Sequence, residues 1–134
     1  MASQFPAADS HRILIVEDNM LVAEVLCELM TEQGYRVIGP CARLSGALKL
    51  AAREAIDAAL LDINLAGEPC CPLADLLRRK GVPFAFLTGY GGTVIPAAFR
   101  DVPILTKPVN PPDIVDVMVT QLGLSSVGSD ARDP

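Results

Sequence analysis

The chain has 134 residues, a net charge of −5, 51% apolar residues and 20% charged residues. This length corresponds to one domain with a substantial core. The acidic balance and the scattered Lys and Arg argue against a nucleic-acid partner, and no apolar stretch approaches the roughly twenty residues of a membrane span. The N-terminus lacks the features of a signal peptide, so we expect a cytoplasmic protein whose four cysteines are reduced thiols.

Composition divides the chain into one folded unit and two tails. Residues 1–11 and 124–134 are rich in Ala, Ser, Asp, Gly and Pro, which is typical of loose chain ends. We therefore expect a single domain over residues 12–123 between two flexible tails.

The first half of the chain alternates between strand and helix patterns. An apolar run over 13–16 predicts a buried strand. Apolar residues then recur at helical spacing over 22–29, and Gly34 ends that helix. A short strand follows over 35–39, and small residues over 44–55 indicate a second helix.

The same alternation continues in the second half. The runs at 58–62, 84–88 and 102–106 predict three more strands, and leucines over 73–77 predict a helix that ends at Gly81. Strands that alternate with helices favour a parallel sheet covered on both faces.

The last helix has clear start signals. Asn110 is suited to cap it, and Pro111 stands at the first helical position. The predicted buried face consists of Ile114, Val115, Met118, Val119 and Leu122.

Residues 89–101 stand where a fourth helix is expected by count. Three glycines and Pro96 oppose it, each at a cost of roughly 1–3 kcal/mol in a helix interior. We predict at most a single turn that begins at Pro96.

Polar residues follow four of the predicted strands. Glu17 and Asp18 follow the first strand, Asp62 ends the third, Thr88 ends the fourth and Lys107 follows the fifth. Parallel sheets place their ligand site at the carboxyl ends of the strands. We therefore expect these side chains to form one site for a divalent cation and a phosphoryl group.

The residue types suggest a role for each member of this set. Asp18 and Asp62 can bind Mg²⁺ (or Mn²⁺) directly, and Glu17 can act through a water molecule. Asp62 is the natural phosphoryl acceptor, since a carboxylate nucleophile forms an aspartyl phosphate. Lys107 and the Thr88 hydroxyl would bind the phosphoryl oxygens. Each residue alone is ordinary at a strand end or helix start, but their combination in this order is improbable by chance.

The chain resembles bacterial two-component response-regulator receiver domains over about residues 12–122. The motifs that carry the resemblance are Ile13-Leu14-Ile15-Val16-Glu17-Asp18-Asn19, Leu60-Leu61-Asp62-Ile63-Asn64, Thr88-Gly89 and Lys107-Pro108. The resemblance implies a flavodoxin-like, doubly wound sheet of five parallel strands in the order 2-1-3-4-5.

The same resemblance implies a function. Asp62 would receive phosphate from a histidine kinase, and the backbone carbonyl of Asn64 would complete the metal site with Glu17, Asp18 and Asp62. It also implies a cis peptide bond between Lys107 and Pro108, which the low cost of cis before proline permits.

The chain departs from ordinary receivers at Ile104, where they carry an aromatic switch residue. The fourth strand, Pro83-Phe84-Ala85-Phe86-Leu87-Thr88-Gly89-Tyr90, resembles the Pro-Phe-x-Phe-Ala-Thr-Gly-Tyr motif of receivers that partner HWE-type sensor histidine kinases. This subgroup implies a fourth helix that is short or disordered. The switch candidates are then Tyr90, Phe86 and Ile104, and we expect residues 89–101 to become more ordered on phosphorylation.

Three functions are compatible with these residues. The first is a stand-alone receiver, not an enzyme, that signals to an unknown downstream protein by contact or serves as a phosphate relay or sink. The second is a haloacid-dehalogenase-like phosphatase, although its nucleophile would end the first strand. The third is a degenerate receiver that binds partners without phosphorylation, which the complete set of site residues disfavours.

Overall fold

The computed structural model describes residues 11–65, 67–89 and 95–124. Its strands are β1 (Arg12–Val16), β2 (Arg36–Cys41), β3 (Ala58–Asp62), β4 (Asn64–Leu65), β5 (Glu68–Pro69), β6 (Phe84–Thr88) and β7 (Ile104–Thr106). Five of them form a parallel sheet in the order β2-β1-β3-β6-β7. This is the predicted order 2-1-3-4-5. The sequence did not predict the antiparallel hairpin of β4 and β5.

Helices cover both faces of the sheet. They are α1 (Met20–Glu32), α2 (Leu44–Arg53), α3 (Cys71–Arg79) and α4 (Pro111–Asp116), and α4 continues as a π-helical turn over Val117–Gln121. Asn110 occupies the N-cap position of α4 and Pro111 begins the helix, as predicted. Within the described ranges, no helix has the length and apolar character of a membrane span.

The sheet separates two apolar cores. Along β3, Ala59 and Leu61 face the core beneath α2 and α3, while Ala58 and Leu60 face the core beneath α1 and α4. All four side chains are fully buried. Burial on both faces is why this strand is continuously apolar in sequence.

The second strand differs from its prediction in a way that affects the site. It runs over Arg36–Cys41, not over 35–39, and passes through a cis Gly39–Pro40 bond. Its register against β1 shifts between Leu14 and Val16, so that the Glu17 N–H donates to the Cys41 carbonyl at 2.9 Å. Gly39 has φ +101°, and a Cβ there would lie 3.0 Å from backbone atoms of Ile15 and Cys41. The backbone of β2 therefore requires glycine at position 39.

The prediction that Val119 is buried is wrong, because this residue is 41% exposed. In the π turn, the Leu122 N–H donates to the Val117 carbonyl, five residues earlier. The wider turn rotates the following side chains relative to an α-helix. Val117 and Met118 are buried in this turn, and Val119 faces outward.

The prediction of at most a single helical turn between β6 and β7 is confirmed for the described residues of this segment. Tyr90 and residues 91–94 lie outside the described residues. From residue 95 to β7, the described chain makes one 3₁₀ turn, Ala97–Phe99, directly after Pro96.

Candidate functional site

The parallel sheet brings the predicted polar residues to one edge. Glu17 and Asp18 follow β1, Asp62 ends β3 and Thr88 ends β6. Lys107 follows β7, and its backbone N–H donates to the Thr88 carbonyl at 2.8 Å. This hydrogen bond joins the end of β6, which carries the Thr88 hydroxyl, to the end of β7, which is followed by the Lys107 ammonium group. The Lys107–Pro108 bond is cis, which confirms that prediction.

Lys107 links two carboxylates. Its Nζ lies 2.8 Å from Glu17 Oε1 and 3.0 Å from Asp62 Oδ2. The contact with Asp62 is a hydrogen bond, whereas the contact with Glu17 is an ion pair outside hydrogen-bond geometry. The ammonium group therefore partly neutralises two negative charges at once.

Backbone N–H groups hold the other carboxylate oxygens. Glu17 Oε2 accepts from the Asn19 N–H at 3.0 Å, and Asp62 Oδ1 accepts from the Asn64 N–H at 3.1 Å. Asn19 also caps α1, since its side chain accepts from the N–H groups of Leu21 and Val22. This second role of Asn19 was not predicted, although Asn before a helix is a common capping signal.

The carboxylates fit a hard divalent cation. Glu17, Asp18 and Asp62 each offer an oxygen, and these atoms all lie within 4.8 Å of one another. Among the described residues, Glu17 Oε1 is buried and has no hydrogen-bond partner. This oxygen is ion-paired with Lys107 and lies beside oxygens of two other carboxylates. Such a cluster suits Mg²⁺, which prefers oxygen ligands and keeps several waters.

Burial and charge shift two of the site's pKa values. Burial raises the pKa of Glu17, and the contact with Lys107 only partly offsets this. For Lys107, burial lowers the pKa, but its contacts with Glu17 and Asp62 outweigh that effect and raise it overall. Lys107 is therefore charged at neutral pH, and burial makes the ionised form of Glu17 costly in free energy.

The switch candidates occupy different surroundings. Phe86 is buried and contacts Phe84 and Phe99 edge-to-face. Ile104 is exposed at the edge strand. Tyr90 lies outside the described residues, so its role stays a prediction.

All four cysteines are free thiols. Burial raises the pKa of Cys70 to about 12, so this neutral thiol, which directly follows β5, is not a candidate nucleophile.

Apolar side chains are exposed beside the site. Met20 and Leu21 at the start of α1 are 78% and 74% exposed. A groove of about 290 Å³ lies between α1 and the chain after Lys107, and its lining is Leu21, Val22, Val25, Leu26, Pro108 and Val109.

Comparison with known proteins identifies the family. Residues 13–119 match the response regulator receiver domain, and the chain belongs to this family. Members of the family are signalling domains of two-component systems, so a haloacid-dehalogenase-like phosphatase is not favoured.

Solved structures agree with this assignment. SdrG from Sphingomonas melonis Fr1 is 34% identical, with TM-score 0.75 over 82% of this chain and 94% of its own. The BeF3-activated conformation of SdrG gives 35% identity and TM-score 0.71. The receiver domain of the PhyR response regulator from Erythrobacter litoralis is 26% identical, with TM-score 0.72 over 96% of this chain and 97% of its own.

Curated relatives are longer proteins. The transcriptional regulatory protein PdtaR of Mycobacterium tuberculosis is 26% identical over 113 residues, which cover 84% of this chain. The chain spans from 34% to 55% of the length of the curated relatives it matches.

Proposed function

We propose that this receiver accepts a phosphoryl group on Asp62 from a histidine kinase, in a reaction that depends on Mg²⁺. The observation that carries the proposal is the position of Asp62. Its Oδ2 contacts the Lys107 ammonium group at 3.0 Å, and it shares an oxygen cluster with Glu17 and Asp18. The Asp62 carboxylate can therefore act as the nucleophile. It contacts the Lys107 ammonium group and lies among the oxygens that can bind a metal ion.

The chemical step transfers a phosphoryl group between two side chains. An oxygen of Asp62 attacks the phosphorus of a phosphohistidine, the phosphorus–nitrogen bond breaks and an acyl phosphate forms. The imidazole of the kinase leaves and takes up a proton from water. Transfer of this kind depends mainly on positioning and charge stabilisation.

Each surrounding residue has a role in this proposal. Lys107 neutralises charge on the phosphoryl oxygens, and the Thr88 hydroxyl donates to one of them. Glu17, Asp18 and Asp62, with the Asn64 backbone carbonyl, are the ligands of Mg²⁺ (or Mn²⁺). When bound, the cation screens the carboxylates and the incoming phosphoryl group from each other.

We further propose an HWE-type sensor histidine kinase as the phosphate donor. The support is the motif over 83–90 together with Ile104 in place of the usual aromatic residue. We place the docking site of the kinase at the exposed apolar residues Met20, Leu21 and Val25, because Leu21 and Val25 line the groove beside Pro108 and Met20 directly precedes Leu21. Exposed apolar patches of this kind mark protein contact sites.

The phosphorylated chain then signals to a downstream protein or acts as a phosphate relay or sink.

Phosphotransfer from purified kinases of the same genome tests this proposal. Wild type should gain phosphate in Mg²⁺ and lose that ability in excess chelator. Asp62→Asn should gain none, whereas Asp75→Asn, an exposed aspartate on α3, should behave as wild type. Equal labelling of Asp62→Asn and wild type would contradict the assignment.

A further inference from the structure

Arg78 on α3 reaches the turn that precedes β7. Its Nη1 donates to the Ala98 carbonyl at 3.1 Å, and its Nη2 lies 2.9 Å and 3.1 Å from the two carboxylate oxygens of Asp101. The hydrogen bonds from Arg78 hold the pKa of Asp101 below its usual range. One side chain therefore binds both the backbone and a charged side chain of the segment 97–101.

The same guanidinium group covers an aromatic cluster. It lies 5.1 Å from the ring centre of Phe99 and 5.9 Å from that of Phe84. Phe99 is 3% exposed and packs edge-to-face on Phe84 and Phe86, at 6.2 Å and 6.0 Å between ring centres. Arg78 thereby joins α3, the Ala97–Phe99 turn and strand β6.

We propose that Arg78, Ala98, Phe99 and Asp101 form a clamp, called the Arg78 clamp below, that positions strand β6 for binding of the phosphoryl group. The proposal rests on the proposed function of Asp62. The route from clamp to site is short: Phe86 precedes Thr88 by two residues on β6, and the Thr88 carbonyl accepts from the Lys107 N–H. Arg78 is a positioning residue, since it touches neither the phosphoryl group nor its ligands.

The physical basis is preorganisation. With the Arg78 clamp closed, Phe99 and the turn are fixed before the phosphoryl group binds. Without it, binding must also order these groups, which weakens affinity. An exposed ion pair and an exposed cation–π contact each change an equilibrium constant by at most about fivefold. Loss of Arg78 should therefore weaken binding of a phosphoryl mimic by about three- to tenfold.

The test compares Arg78→Ala and Asp101→Ala with the double variant and with Arg79→Ala, an exposed arginine on the same helix. Beryllofluoride with Mg²⁺ serves as the probe, and its affinity is measured by NMR titration. Amide hydrogen exchange reports on the Phe99 and Val102 N–H groups, which bond within the turn region.

The expected result has three parts. Arg78→Ala should show faster exchange at Phe99 and Val102 and weaker beryllofluoride binding. The double variant should lose less than the sum of the single variants, because both remove the same contact. Arg79→Ala should match wild type.

Other results would overturn the proposal. Unchanged or tighter beryllofluoride binding by Arg78→Ala, despite faster exchange, would reduce the clamp to a purely structural contact. Equal weakening by Arg79→Ala would assign the effect to net charge. If wild type bound no beryllofluoride, both the proposed function and the clamp would fail. If wild type bound beryllofluoride and Arg78→Ala bound it equally well, the clamp alone would fail.

Discussion

Phe86 and Ile104 lie directly opposite each other on the neighbouring parallel strands β6 and β7, yet their exposures differ sharply. Phe86 is 1% exposed and packs on two other phenylalanines, whereas Ile104 is 44% exposed. The aromatic side chain at this level of the sheet thus sits on the inner strand. Its neighbours fix it there, and the edge position holds an aliphatic side chain in contact with solvent.

This relationship predicts different costs of truncation at the two positions. Phe86→Ala should destabilise the fold by about 3–5 kcal/mol, because it empties a packed site. Ile104→Ala should cost less than about 1 kcal/mol, since the side chain is half in water. Urea unfolding of both variants measures this. Similar losses at the two positions would show that Ile104 is packed more tightly than its exposure indicates.

Mg²⁺ should stabilise the protein. The carboxylates of Glu17, Asp18 and Asp62 crowd together, and a cation bound only to the folded state relieves their repulsion. At a hundred times its dissociation constant, a ligand adds roughly 2.7 kcal/mol. Thermal melts with and without millimolar Mg²⁺ should show a higher midpoint in wild type and little change in Asp18→Ala. An equal rise in both proteins would place the cation elsewhere.

The raised pKa of Glu17 predicts a pH-dependent stability without metal. Folding favours the protonated form, so the folded protein loses stability as pH rises from the ordinary Glu pKa of 4.5 through the raised value. Glu17→Gln cannot ionise. In chelator it should therefore be more stable than wild type near pH 7 and similar to wild type at pH values below the ordinary pKa.

Denaturant unfolding across this pH range measures the difference. Mg²⁺ should reverse the order near pH 7, because it stabilises the ionised Glu17 of wild type. A metal-free Glu17→Gln protein that is less stable than wild type near neutral pH would show that the ion pair with Lys107 outweighs burial.

The apolar surface of α1 should matter for the kinase and not for the chemistry. Leu21 is 74% exposed, so Leu21→Glu should leave the fold intact. It should slow phosphotransfer from the kinase by at least about tenfold, which corresponds to the loss of one well-buried interface contact. Phosphorylation by acetyl phosphate should be unchanged. Equal slowing with both donors would indicate damage to the site itself.

The sequence predicted the sheet and the meeting of the polar residues at one edge of it, because both depend on local signals. Short apolar runs reveal strands buried on two faces, and Asp62 and Lys107 stand at the strand ends where a parallel sheet gathers its functional groups. Two acidic residues before α1 complete the set without any knowledge of distant contacts.

The features that were missed depend on tertiary contacts or on exceptions to regular spacing. The π turn displaces Val119 from the face that α-helical spacing predicts. The Arg78 clamp joins residues 20 and 23 positions apart, and a lone Arg on a helix gives no signal of such contacts. The cis bond at Pro40 also escaped prediction, since a Gly-Pro pair is equally suited to an ordinary turn.

The most direct test of the central claim is chemical identification of the phosphorylated residue. Wild type is phosphorylated in Mg²⁺ and then reduced with borohydride, which converts an aspartyl phosphate into homoserine and marks its position. Peptide mass spectrometry should find the conversion at Asp62 and should find none in a sample reduced without prior phosphorylation. Conversion at Asp18 or another aspartate, with Asp62 unmodified, would contradict the account.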